Sequence, residues 1–121
     1  MTTPQDDATY RFALDAARIA TDLKVEDVAI LDLRGLTSLA DFFVIGTGTS
    51  DRQMHAVVFE LKQFAKTLDR TPLRVSDSST SSWILADYVD IVVHLFDADA
   101  REYYDLEGLW GHAPQVEMPA R

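Results

Sequence analysis

Apolar and polar positions alternate with three distinct rhythms along this chain, and the rhythms predict its elements. Tyr10, Ala13, Leu14, Ala17 and Ala20 recur at helical spacing. Thr3-Pro4-Gln5-Asp6 ahead of them has the residue types of a helix start, so a first helix is expected to end near Leu23. Val28 to Leu33 is a short apolar run with β-branched residues, hence a strand, broken by Gly35 and Thr37-Ser38. Asp41 introduces FFVIGTG, a second strand apolar on both faces and therefore expected to be covered on both. Ser50-Asp51-Arg52-Gln53 reads as a capping box opening a second helix, in which Met54, Val57, Val58, Leu61, Phe64, Ala65 and Leu68 keep the 3-4 pattern. Thr71-Pro72 ends it, and Leu73-Arg74-Val75 forms a short strand.

Ser76 to Ser82 has no apolar anchor and reads as a loop. Trp83–Ala86 and Ile91–Phe96 read as strands of a hairpin joined by Asp87-Tyr88-Val89-Asp90. In the second of these, Ile91, Val93 and Leu95 share one face, and Val92, His94 and Phe96 the other. Asp97-Ala98-Asp99-Ala100 caps a last helix carrying Tyr103, Leu106, Leu109 and Trp110, which Gly111 ends. The order α, β, β, α, β, β, β, α implies an α/β fold: a mixed β-sheet of about five strands with helices packed on it. One domain over residues 1–113 is expected, with 114–121 a flexible C-terminal tail.

Composition changes this picture in two ways. The chain has 121 residues, 47% of them apolar and none of them cysteine, which suffices for one core without disulfides or thiolate sites. No secretory signal pattern and no apolar run of about 20 residues occurs, so a soluble, cytoplasmic protein is expected. The formal charge of −9 is uneven: residues 77–121 hold 9 acids against 2 bases, a net of −7, and residues 1–76 hold 11 against 9, a net of −2. Such a field disfavours nucleic acid. It serves either solubility or the capture of a basic partner.

Candidate chemistry is sparse. The turn Gly46-Thr47-Gly48-Thr49-Ser50 with the Asp97/Asp99 pair suggests a nucleotide- and Mg²⁺-binding site of nucleotidyltransferase type. The turn matches neither GxGxxG nor a P-loop, however, and both features also read as helix caps. His55, His94 and His112 lack metal-ligand spacing. The aromatic cluster is more informative. Trp83, Tyr88, Tyr103, Tyr104 and Trp110 are interleaved with Asp87, Asp90, Glu102, Asp105 and Glu107, the composition of an acidic protein-binding surface.

The segments DFFVIGTGTSDRQ, WILADYVDIVVHLF and AREYYDLEGLWG, in this order, resemble the ribosomal silencing factor family (RsfS, Iojap-like) over roughly residues 10–113. The resemblance implies a nucleotidyltransferase-like Iojap fold without enzymatic activity or cofactor. It implies binding to the large ribosomal subunit through its fourteenth ribosomal protein, a basic protein at the subunit-joining face. That contact would block the small subunit and repress translation under nutrient limitation. It further implies a homodimer when free, no sequence-specific nucleic-acid binding, no metal and no membrane. The positions carrying the motifs, and so the expected partner contacts, are Trp83, Asp87, Tyr88, Asp90, His94, Glu102, Tyr103, Asp105, Leu106, Glu107 and Trp110. Two departures stand near them. Val89 replaces the hairpin glycine usual in the family, which suggests a different turn, and Asp77-Ser78 replaces a Glu-Gly pair.

Overall fold

A computed structural model describes residues 8–76 and 82–118; the expected helix start at Thr3–Asp6 and most of the serine-rich segment lie outside the described residues. The elements are α1 (Ala8–Asp22), β1 (Glu26–Asp32), β2 (Phe42–Thr47), α2 (Asp51–Thr67), β3 (Arg74–Val75), β4 (Trp83–Asp87), β5 (Ile91–Phe96), α3 (Ala98–Tyr104) and α4 (Leu106–Leu109). The strands form one mixed sheet in the order β1-β2-β5-β4-β3. Only β2 and β5 pair in parallel; the other neighbours are antiparallel. Those two strands are buried along their whole length, as the apolar run of β2 predicts.

Helix ends explain the boundaries. Ser50 caps α2: its hydroxyl accepts from Gln53 N–H, while Gln53 Oε1 accepts from Thr49 N–H. Both long helices stop without glycine. Lys24 and Asp69 take positive φ (72° and 56°), and Val25 and Arg70 donate back to Ala20 and Ala65 carbonyls.

The sheet has two unlike faces. One packs on α1 and α2 through Phe12, Ala13, Ala16, Ala17, Met54, Val57, Leu61, Phe42, Val44, Ile84, Ile91 and Val93. Alanines on α1 bring that helix close to the strands. The other face carries Leu31, Phe43, Ile45, Val92 and Phe96, covered only in part by Leu33, Ala40, Ala100, Leu106, Trp110 and Ala113.

Two expectations are corrected. The last helix is two short ones: Asp105 adopts a left-handed conformation (φ 44°) and its carboxylate accepts from Gly108 N–H, starting α4 at an angle to α3. A Cβ on Gly108 would fall 2.2 Å from Asp105 Oδ2, so this corner needs glycine there. The chain after His112 is not a free tail over its described part. Asp32 N–H donates to Pro114 O and Val116 N–H to Ile30 O, Ala113 is buried, and Val116 and Met118 pack on the main core. The segment shields the open edge of β1.

Candidate functional site

Strand register assembles the less covered face into three rows. Leu31, Phe43, Val92, Asp87 and Arg74 are successive partners across all five strands. Ile45, His94 and Leu85 form the next row, and Thr47, Phe96 and Trp83 the third. The α3–α4 corner lies over the β1–β2 side. It is fastened by Arg101, whose guanidinium grips Glu107 at 2.9 and 3.1 Å and donates to Thr47 Oγ1 and Asp27 O. The β4 side stays open. A groove of about 500 Å³ runs there over Leu39, Phe43, Val75, Leu85, Val92 and His94, with Arg74, Ser76 and Asp87 at its rim.

Aromatic packing sets the upper wall. Trp83 lies 4.9 Å from Phe96 and 4.7 Å from Tyr104, centroid to centroid, and its Nε1–H donates to His94 Nδ1 at 3.1 Å. That bond assigns the remaining proton of neutral His94 to Nε2. Phe43 meets the imidazole edge-on at 4.6 Å. Burial lowers the His94 pKa to about 4, against a smaller opposing pull from Asp87. At neutral pH the groove therefore holds an uncharged imidazole beside a carboxylate.

The expected contact residues separate into groups. Trp83, Asp87 and His94 lie on the open part of the sheet. Trp110 borders it, 6.3 Å from Phe43. Glu102, Tyr103 and Asp105 are exposed on the neighbouring corner, Tyr103 at 82%. Leu106 is half-buried beneath that corner, and Glu107 is held by Arg101. Tyr88 and Asp90 lie apart from these groups, on the helix side of the sheet. Tyr88 is buried on the α1 side against Phe12, 5.2 Å between ring centroids. Asp90 accepts from Arg70 at 3.0 and 3.1 Å and from Thr9 at 3.1 Å. These two hold the hairpin to the helices. The hairpin turn is also tighter than the substitution at Val89 suggests. Val89 itself takes φ 75°, with Asp90 N–H donating to Tyr88 O across a γ-turn and Val89 N–H to Asp87 Oδ1.

Leu39, Phe43, Arg74, Leu85 and Val92 complete the face and were not singled out from sequence. Alternation puts Leu85 and Asp87 on the Trp83 side of β4; Leu39 comes from a loop and carries no such signal.

Part of the alternative nucleotide site is engaged in the fold's own bonds. Gly48 N–H donates to Phe96 O and Thr49 N–H to Gln53 Oε1. Asp97 caps α3 through Ala100 N–H. Among the described residues, no group of three His, Asp or Glu side chains could hold a metal ion, and no helix is long and apolar enough to cross a membrane.

Comparison with known proteins decides the family. The model for "Ribosomal silencing factor during starvation" matches residues 6–121. The chain belongs to the ribosomal silencing factor family. It is 41% identical to RsfS of Halalkalibacterium halodurans, covering 85% of this chain and 88% of the relative. RsfS of Bacillus subtilis is 38% identical with 85% and 87% covered. The chloroplastic Iojap protein of Arabidopsis thaliana is 34% identical over 94% of this chain and 48% of the relative. Two solved RsfS-like folds superpose well. A Bacillus halodurans crystal structure has a TM-score of 0.71 at 37% identity, covering 88% of this chain and 94% of that one. An X-ray structure from Chromobacterium violaceum gives 0.75 at 28%, with 99% and 95% covered.

Proposed function

We propose that this RsfS-family chain silences translation in the cytoplasm by occupying the large ribosomal subunit. It docks on the basic fourteenth protein of that subunit and so keeps the small subunit from joining. The observation that carries this reading is the half-covered sheet face, where half-buried Trp83 and Leu85, exposed Leu39 and the groove beside them leave apolar surface open at Asp87, with Glu102, Tyr103 and Asp105 exposed on the α3–α4 corner. Apolar and aromatic anchors rimmed by acids suit a basic protein partner. The action is steric: no catalytic step or cofactor enters it. The free chain is a homodimer in this reading.

The test is co-sedimentation with purified large subunits near physiological salt, with the isolated fourteenth protein as competitor. Binding that the competitor abolishes supports the reading. Failure to bind, or binding indifferent to the competitor, overturns the assigned partner. Size-exclusion chromatography with light scattering at the same salt tests the dimer.

A further inference from the structure

The groove carries a feature that the proposed docking does not by itself require. Arg74 and Asp87 stand directly opposite on β3 and β4, with Arg74 Nε 3.6 Å from Asp87 Oδ2. The two ends of this pair are unequal. The Asp87 side chain is 17% exposed, and its other oxygen is fixed by Val89 N–H at 2.8 Å. The Arg74 side chain is 73% exposed, on a strand of only two residues at the sheet's edge. The carboxylate is held in place, and the guanidinium is free to swing.

Resting on the reading that a basic protein docks here, we propose that Arg74 stands in for a lysine or arginine of that partner: the incoming side chain lies in the groove and takes Asp87 from Arg74. Long basic side chains lay an aliphatic stem on apolar surface and carry a charged head beyond it. The groove offers a floor for such a stem in Leu39, Phe43, Leu85 and Val92, and one carboxylate at the rim for the head. The surrounding excess of acids over residues 77–121 favours a cation over an anion there. The pair is long at 3.6 Å and its Arg74 end is solvent-exposed, so it contributes little to stability and is readily exchanged. While it persists, Arg74 also repels the basic surface it must make way for. Arg74 thereby weakens docking of every basic protein and selects one able to replace it at Asp87.

The experiment measures the affinity of the full chain for the isolated fourteenth ribosomal protein by titration calorimetry. The wild type is compared with Asp87→Asn, Arg74→Ala, Arg74→Gln and the Asp87→Asn/Arg74→Ala double variant. The Asp87→Asn change keeps an oxygen to receive Val89 N–H, and Arg74→Gln keeps most of the aliphatic stem; thermal melts check each fold. Asp87→Asn is expected to weaken binding at least about 10-fold. Both Arg74 variants should tighten it about 2- to 5-fold, a gain that vanishes in the double variant. If Asp87→Asn weakens binding while the Arg74 variants leave it unchanged or weaker, Arg74 is no stand-in and this inference falls, with the docking face intact. If Asp87→Asn leaves affinity unchanged, the docking face itself is wrong, and the inference goes with it.

Discussion

The two faces of the sheet are built from the same residue types and behave differently. On the α1–α2 side, Phe42, Val44, Ile84, Ile91 and Val93 are each at most 1% exposed, and at the rim Asp90 is paired with Arg70 and Thr9. On the other side, α3 and α4 together span only Ala98–Leu109 and cover part of the face, with Tyr104 on Phe96 and Trp83 and Trp110 beside Phe43. Trp83 and Leu85 remain half-exposed, and the ion-pair partner of Asp87 is an exposed arginine. Two long helices with 3-4 apolar stripes can cover a face of five strands; a broken helix of two short pieces cannot. One face is therefore fully closed, and the other keeps apolar surface uncovered.

Substitutions should separate the faces by which measurement they move. Phe42→Ala, in the closed face, is expected to lower unfolding stability by about 3–5 kcal/mol in urea titration. A loss below about 1 kcal/mol would mean that the closed face is not the main core. His94 comes next. Its folded pKa of about 4 lies below the ordinary 6.5, so the unfolded chain binds more protons between these values. This contribution is fully present above pH 6.5 and is lost as pH falls toward 4, in all about 3 kcal/mol. His94→Gln should remove that slope from the difference between urea curves at about pH 7 and about pH 5; an unaltered slope would mean that His94 titrates normally.

Asp90→Ala should cost about 1–2 kcal/mol through the lost Arg70 and Thr9 bonds, with affinity for the large subunit of the folded variant unchanged. A drop in affinity would return Asp90 to the docking surface. Val89→Gly should stabilise by about 1 kcal/mol, because glycine adopts φ 75° without the clash of a branched Cβ. A lower melting temperature would show that the Val89 side chain contributes more than its conformation costs. Leu85→Ala should change stability least, by less than about 1 kcal/mol, while weakening co-sedimentation with the large subunit. The reverse pattern would place Leu85 in the core.

Much of this was legible in the chain. The run at Phe42–Thr47 announced a strand buried on both faces, Ile91–Phe96 announced a strand, and the capping box at Ser50 set the start of α2. The resemblance pointed to the Trp83–Trp110 region for the expected partner contacts. What escaped had local causes. Lys24 and Asp69 end helices in a conformation for which glycine is the usual signal, and Asp105 splits a continuous apolar pattern by turning left-handed. Tyr88 and Asp90 sit in the hairpin connection, where strand alternation no longer tells sides apart. Pro114 to Met118 has the composition of a loose end, yet it bonds to β1 because that edge had unpaired amide and carbonyl groups to offer.

By itself the sequence determined parity: Trp83 and Leu85 on one side of β4, Val92, His94 and Phe96 on one side of β5. That follows from the two-residue repeat of an extended chain. Only the tertiary structure decided that these two sets share one face, that Phe43 and Arg74 join them, and that the face stays half open. Those facts depend on the order and register of strands far apart in sequence and on how far two short helices reach, and no local periodicity encodes either.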